Sequence, residues 1–471
     1  MLSSRIKWTW RTGFIVALFG SQTVKAIELD LRYAFTEEQR VVVNANEPVK
    51  PDKEQKTKLS TKKGKLNLVV GATYIALEDD ERTSFYDLAA KKIYHRSKNQ
   101  KTWTVQSLFS DVYFRVAEFQ NREKLSGALR AAGVSNPITH GMDDTFELET
   151  LFGLRFPNAR SEPVKDLQAI KLKNGLRFVR GEELASCRFS STEIPVSLRP
   201  MFSRALVHLY RTHPEIRQQI VANGKLPQQL STCWYNMGTS GKTVWELESV
   251  KLVEKGTHQA PVQNERIPDG ASAVLISRMK AALAPAKGES APTLESVAKA
   301  CDQAIAEGRP LDGLLGFFEL AFQSGENVSP EIRLRRDTFA RDERCQQYIA
   351  SCDQSTQEAC EKAVSLIRGI DRTGLKKDHI LDVQLADSLS TLGKLDEAEK
   401  LFLNILERNP RLTGVWNDLG DVYVNRYEMP IGWACWDLAR QISPSHPMMA
   451  QRTNLEKRLM DDFPDFFLPR E

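Results

Sequence analysis

The sequence predicts an α+β domain with a largely antiparallel sheet, followed by an all-α domain made of helical repeats. Three observations carry this. Between residues 66 and 256, apolar residues alternate with polar ones in short runs separated by turn residues. Beyond residue 293 that alternation stops and helical spacing takes over. Within this last part, two segments align with each other, the first ending at Pro410 and the second at Pro444.

The chain opens with Arg5, Lys7 and Arg11, then the apolar run Phe14–Phe19, then Val24-Lys25-Ala26. This is the order of an export signal: a basic start, a short apolar stretch and a small-x-small cleavage pattern. The run is too short to span a bilayer, which needs about 20 apolar residues. Residues 1–26 are therefore expected to be a signal peptide cut after Ala26, with an uncleaved anchor or a short buried helix as the alternatives. Residues 1–26 hold four of the 65 basic residues and no acid, so the remainder carries 61 of each sign. A balanced chain has no bulk electrostatic reason to bind nucleic acid or an anionic membrane. Membrane contact is not expected after cleavage, and the expected location is periplasmic or secreted.

Residues 27–65 read as an N-terminal segment ending in a linker, because positions 48–65 hold seven Lys and two Pro. The α+β domain spans 66–256. Leu66–Leu77 is apolar and rich in strand formers, and Arg82–Ser97 reads as a hairpin turning near Asp87. Thr102–Leu108 alternates as a further strand. A helix is expected from Asp111 to Ala132, with Val112, Val116, Phe119, Leu125 and Leu129 as its inner stripe. Ile170–Val179 turns at Asn174-Gly175, and Leu184–Phe189 continues that sheet. One helix is expected over 198–222, then a closing hairpin from Leu230–Tyr235 and Thr243–Val253. Residues 257–292 are richer in Pro, Gly and Ala and read as a linker.

Residues 293–378 read as helical, with Leu294–Gly308 and Pro310–Ser324 as one pair. In 379–445 the aligned segments end at Pro410 and Pro444. The second runs Trp416-x-x-Leu419-Gly420-x-x-Tyr423, then Ala439 and Pro444; the first holds Leu385, Ala386, Leu389, Gly393, Ala398, Phe402 and Pro410. This resembles the tetratricopeptide repeat, with Asp382 at the first repeat's Trp position as a departure. The resemblance implies stacked antiparallel helix pairs with a concave protein-binding groove lined by the first helix of each pair. It maps that groove to Val383, Asp387 and Thr391, and to Asn417, Asp421 and Asn425. Chaperone-binding members of the family hold a C-terminal carboxylate with Lys or Arg there, which these positions lack. Two clear repeats, one or two degenerate ones and a capping helix within 446–471 are expected.

Catalytic signals are weak. Asn236–Thr243 nearly matches a phosphate loop, but a strand pattern follows where a helix is needed. Asp79-Asp80 and His140 with Asp143-Asp144 form no recognisable catalytic set. No metal or cofactor signature occurs. Among seven Cys, Cys187 and Cys233 lie on expected strands and are the disulfide candidates, or else two small buried side chains. Cys345, Cys352 and Cys360 share one helical face if the helix is unbroken.

These features together read as an exported, non-enzymatic scaffold or adaptor for a protein partner. The alternative is a binding protein for a small or lipidic ligand held by the α+β domain, with the repeats as docking module.

Overall fold

The computed structural model describes residues 27–42, 57–132, 145–157, 167–209, 212–236, 239–254, 260, 266–284 and 291–469. The expected signal peptide and the His140–Asp144 stretch lie outside them.

The fold is α+β: an antiparallel-dominant sheet domain, then an all-helical region. Its first part holds β1 (Glu28–Val42), β2 (Thr57–Val70), β3 (Tyr74–Glu78), β4 (Arg82–Asp87), β5 (Lys92–Ser97) and β6 (Trp103–Ser107). Helices α1 (Leu108–Ala131) and α2 (Thr145–Phe152) follow, then β7 (Gln168–Leu172), β8 (Gly175–Arg180) and β9 (Glu182–Glu193). Helices α3 (Arg199–Leu209) and α4 (Pro214–Asn223) precede β10 (Lys225–Asn236) and β11 (Thr239–Val253). A short β12 (Arg266–Pro268) and α5 (Ala273–Leu283) complete it.

Among the described residues the strands form one twelve-stranded sheet in the order β12-β6-β5-β4-β3-β2-β1-β11-β10-β9-β8-β7, and only β12 pairs in parallel. Two meanders thus meet at β1, which pairs with β2 on one side and β11 on the other. Leu29, Leu31 and Tyr33 alternate inward along β1, opposite Val70, Leu68 and Leu66. Helices α1 to α4 cover that inner face through Phe109, Val112, Phe146, Phe202 and Ile220. The outer face carries a small cluster of Val69, Ala76, Phe85 and Tyr94.

Several boundaries differ from the sequence reading. Residues 57–65, expected as linker, are the first half of β2, and 28–42 is the central strand. The expected linker 257–292 contains β12 and α5, and Leu275 of α5 is fully buried in the helical region's core. The expected helix 198–222 breaks before Pro214, because His213 takes φ −54° and ψ 137°. A residue before Pro is pushed out of the helical region in this way. The β7–β8 turn sits one residue earlier than expected, since Leu172 pairs with Gly175. Gly175 is needed inside the strand, where a Cβ would lie 2.1 Å from the Cys187 carbonyl oxygen.

The helical region contains α6 (Leu294–Ala306), α7 (Pro310–Ser324), α8 (Ser329–Leu334), α9 (Arg336–Phe339), α10 (Glu343–Ser351) and α11 (Gln357–Gly369). It continues with α12 (His379–Thr391), α13 (Leu395–Arg408), α14 (Thr413–Asn425), α15 (Met429–Ile442) and α16 (Met448–Asp462). Helices α10/α11, α12/α13 and α14/α15 stack as successive pairs. Trp416 is fully buried and its Nε1 donates to the Pro410 carbonyl at 2.8 Å. Gly420 and Gly432 let α14 and α15 touch: a Cβ on Gly420 would lie 2.4 Å from Trp436, and one on Gly432 would lie 2.6 Å from Val424.

Helix α7 crosses the loops that lead into three later helices. Asp312 accepts from the Lys376 and Lys377 amides at 2.9 and 3.2 Å. Glu319 accepts from His379 at 3.1 Å and Asn409 at 2.9 Å. Thr413 donates to the Gln323 carbonyl at 2.9 Å, and His446 bonds the Ala321 carbonyl at 3.3 Å. Burial alone would raise the Glu319 carboxyl, but the hydrogen bonds from His379 and Lys377 hold it down, at about 2.

The two halves share one core. Trp433, Trp436, Leu459, Phe463, Phe466 and Phe467 belong to the cluster built by the sheet and α1 to α4. Tyr113 packs on Trp433 with ring centroids 5.2 Å apart, and Lys92 pairs with Asp437. Buried Arg217 donates to the Gly153 and Thr212 carbonyls, both at 2.7 Å, and reaches Asp465 at 3.5 Å.

Candidate functional site

The six groove positions do not behave alike. Val383 and Asn417, equivalent positions of the two aligned segments, are both buried and cannot meet a partner, which corrects the sequence reading. Val383 is a core residue of the helical cluster. Asn417 donates through Nδ2 to Asp418 at 3.1 Å and accepts from Arg452 Nε at 2.9 Å, and its carbonyl takes the Trp436 indole N–H at 3.0 Å. One turn later, Asp387 and Asp421 are half-buried; at the helix ends, Thr391 and Asn425 are exposed. Both first helices therefore sink at their start and open at their end.

Two residues at this face escaped the sequence reading. Arg452 of α16 bonds both Asp421 oxygens, at 2.6 and 2.7 Å, with its guanidinium 3.8 Å above the Trp436 ring. Asp418 lies between core residues Trp416 and Leu419 and forms an acidic strip with Asp387 and Asp421. Burial, then the neighbouring Asp418 and Asp421, push the Asp387 carboxyl well above its usual range. Burial and Asp421 raise Asp418 to about 7, against the Asn417 hydrogen bond. Burial also raises Asp421, with Arg452 opposing it. The buried Tyr348 ring of α10 lies close enough to Asp387 to feel its charge. The sequence signal for Arg452 was its place nearly one repeat beyond Asp421.

The structure does not bring Cys187 and Cys233 together as a disulfide. Cys187 pairs with Leu230 across β9 and β10, so Cys233, three residues on, faces the opposite side of the sheet. Both thiols are free; Cys187 is buried, and the Cys233 thiol donates to the Glu183 carbonyl at 3.1 Å. Burial raises Cys187 to about 12 and Cys233 to about 11. Cys345 sits in α10, Cys352 just past its end and Cys360 in α11, so the single face expected for an unbroken helix is divided. Asp79 caps a turn, accepting from the Glu81 and Arg82 amides at 2.8 Å each. The near-phosphate loop is the β10–β11 hairpin, of which residues 237 and 238 lie outside the described residues.

No family model matches the chain, and no curated protein does. A solved structure described as lipid–protein interactions in lipovitellin aligns with 90% of this chain and 47% of its own, at 10% identity and a TM-score of 0.19. The chain thus spans about half the length of that structure, and a likeness this low fixes neither fold nor function.

Proposed function

We propose that the protein is an exported, non-enzymatic scaffold that holds a protein partner on the concave face of its helical region. Export rests on the residue order in 1–26, and the groove on the resemblance of 379–445 to tetratricopeptide repeats. The observation that carries the reading is the matched pair of open helix ends: Asp387 and Thr391 on α12 recur, one repeat later, as Asp421 and Asn425 on α14. Arg452 already holds Asp421, so the exposed Thr391 and Asn425 are the open groups, and they suit a segment offering hydrogen-bond donors such as backbone N–H groups. The test is partner capture by full-length protein carrying Thr391→Ala with Asn425→Ala, beside thermal unfolding. Capture should weaken while the melting temperature stays within about a degree, since exposed polar substitutions cost little. Undiminished capture would remove the groove assignment.

A further inference from the structure

Helices α1 to α4 cover only part of the sheet's inner face. Strands β1 to β4, β10 and β11 line an open cavity of about 490 Å³ against α2 and α3. Three aromatic rings line it: Phe35 and Trp245 pack side by side on adjacent strands, with centroids 4.9 Å apart, and Trp234 stands farther along the sheet, opposite Gly241. Leu66, Leu77, Tyr86 and Leu151 make the floor. Two strand glycines make room for these rings. A Cβ on Gly64 would lie 2.6 Å from the Phe35 ring, and one on Gly241 would lie 2.4 Å from the Trp234 ring. Glycine inside a strand often marks such close approach.

Glu37, Lys62, Asp79 and Arg82 line the cavity as two acids and two cations, and Lys62 also bonds Glu81 at 2.6 Å. His208 lines it as well. Its Nε2 faces the Phe466 carbonyl at 3.2 Å and so carries the proton, and burial then Arg115 hold the imidazole down at about 3, hence neutral. The volume is in the range of small-molecule sites, about 300–1,000 Å³. It is too small for a folded partner. An apolar floor with balanced charges selects an amphipathic molecule, and gives no excess of cations to hold an anionic head.

We propose that this cavity binds one single-chain amphiphile, its apolar chain along Phe35 and Trp245 over Leu66 and Leu77, and an uncharged or zwitterionic head at the charged side chains. The inference concerns the sheet domain and stands or falls apart from the partner face of the helices.

The experiment is tryptophan quenching of the full-length protein by lysophosphatidylcholine brominated on its chain, below its micelle concentration, with brominated stearate as the anionic comparison. Native mass spectrometry counts the molecules bound. Saturable quenching at one molecule per chain is expected. Trp234→Phe with Trp245→Phe should abolish most of it, and Thr243→Phe, which fills the cavity from β11, should weaken binding at least tenfold. If Thr243→Phe does not fold, the one-to-one adduct of the unmodified chain and its loss of quenching without Trp234 and Trp245 still decide the matter. No saturable quenching, or quenching unchanged in the double variant, would overturn the site. Tenfold tighter binding of stearate would overturn the head-group assignment.

Discussion

Arg452 of α16 clamps Asp421 of α14, its Nη2 lying 2.6 and 2.7 Å from the two carboxylate oxygens. The same guanidinium holds Asn417 and covers Trp436, so it ties α16 to both helices of the preceding pair. Arg452→Gln should cost about 1–2 kcal/mol, less than a fully buried pair, because the Asp421 side chain is 42% exposed. Chemical denaturation measures this, and Asp421→Asn in the same chain should restore part of the loss. An unchanged midpoint would show that the clamp is only a surface contact.

Asp418 predicts a pH dependence of known sign. Its carboxyl is raised to about 7 in the folded chain, against about 3.9 when unfolded. The folded state therefore holds the extra proton between these values, and its contribution to stability falls as pH rises from about 4 to about 7. Glu319 acts in the opposite sense: held at about 2, it costs stability only as pH falls below the ordinary glutamate range. Asp387 and Asp421, raised beside it, act in the same sense, so thermal unfolding should show that Asp418→Asn lessens the decline between pH 5 and pH 8 without removing it. A variant as pH-dependent as the parent would contradict the raised carboxyl.

Trp416 fills the centre of the last helix pair and is fully buried. Trp416→Ala should cost about 3–5 kcal/mol. Asn425→Ala, at the exposed end of the same helix, should change stability by less than about 0.5 kcal/mol. Urea midpoints of the two variants give the comparison, and similar losses would mean the helix faces are misassigned.

The two halves should not separate cleanly. A fragment of residues 290–471 would expose Trp433, Phe463, Phe466 and Phe467, which the intact chain buries under the sheet domain. The fragment should bind a hydrophobic dye and melt well below the full chain. Likewise, ending the chain at Asp462 removes the carbonyls that Arg204 and His208 contact, and should destabilise the sheet domain. A soluble fragment with an unshifted melting transition would show that the shared core is dispensable.

Cys187 and Cys233 should remain thiols in the native protein, because they face opposite sides of the sheet. Peptide mapping without reductant should recover both as alkylated peptides after unfolding. A linked pair would require a different register of β9 on β10.

Much of this architecture was legible in the sequence wherever one face is buried and the other wet. The β4–β5 hairpin, β6 and the helix α14 that holds Trp416 follow their periodicities closely. The Lys-rich half of β2 did not, because it runs past the covering helices and its positions from Leu59 to Lys63 are exposed. Its strand state depends on pairing with β1, a contact that local composition cannot report. The expected groove positions were legible only in part. Their place on α12 and α14 follows from the helical spacing, but Asn417 is sealed by Arg452, which comes from a helix outside the two aligned segments. The terminal Phe463, Phe466 and Phe467 have no periodic signal and are fixed only by the distant sheet core.

The most direct measurement is site-specific photocrosslinking in full-length protein within its native cell. A benzophenone side chain is placed singly at Thr391, at Asn425 and at Leu334, the last being 78% exposed on α8. Thr391 and Asn425 should each yield an adduct with the same partner, while Leu334 yields none. The same partner crosslinked at Leu334 and absent from both groove positions would contradict the groove assignment.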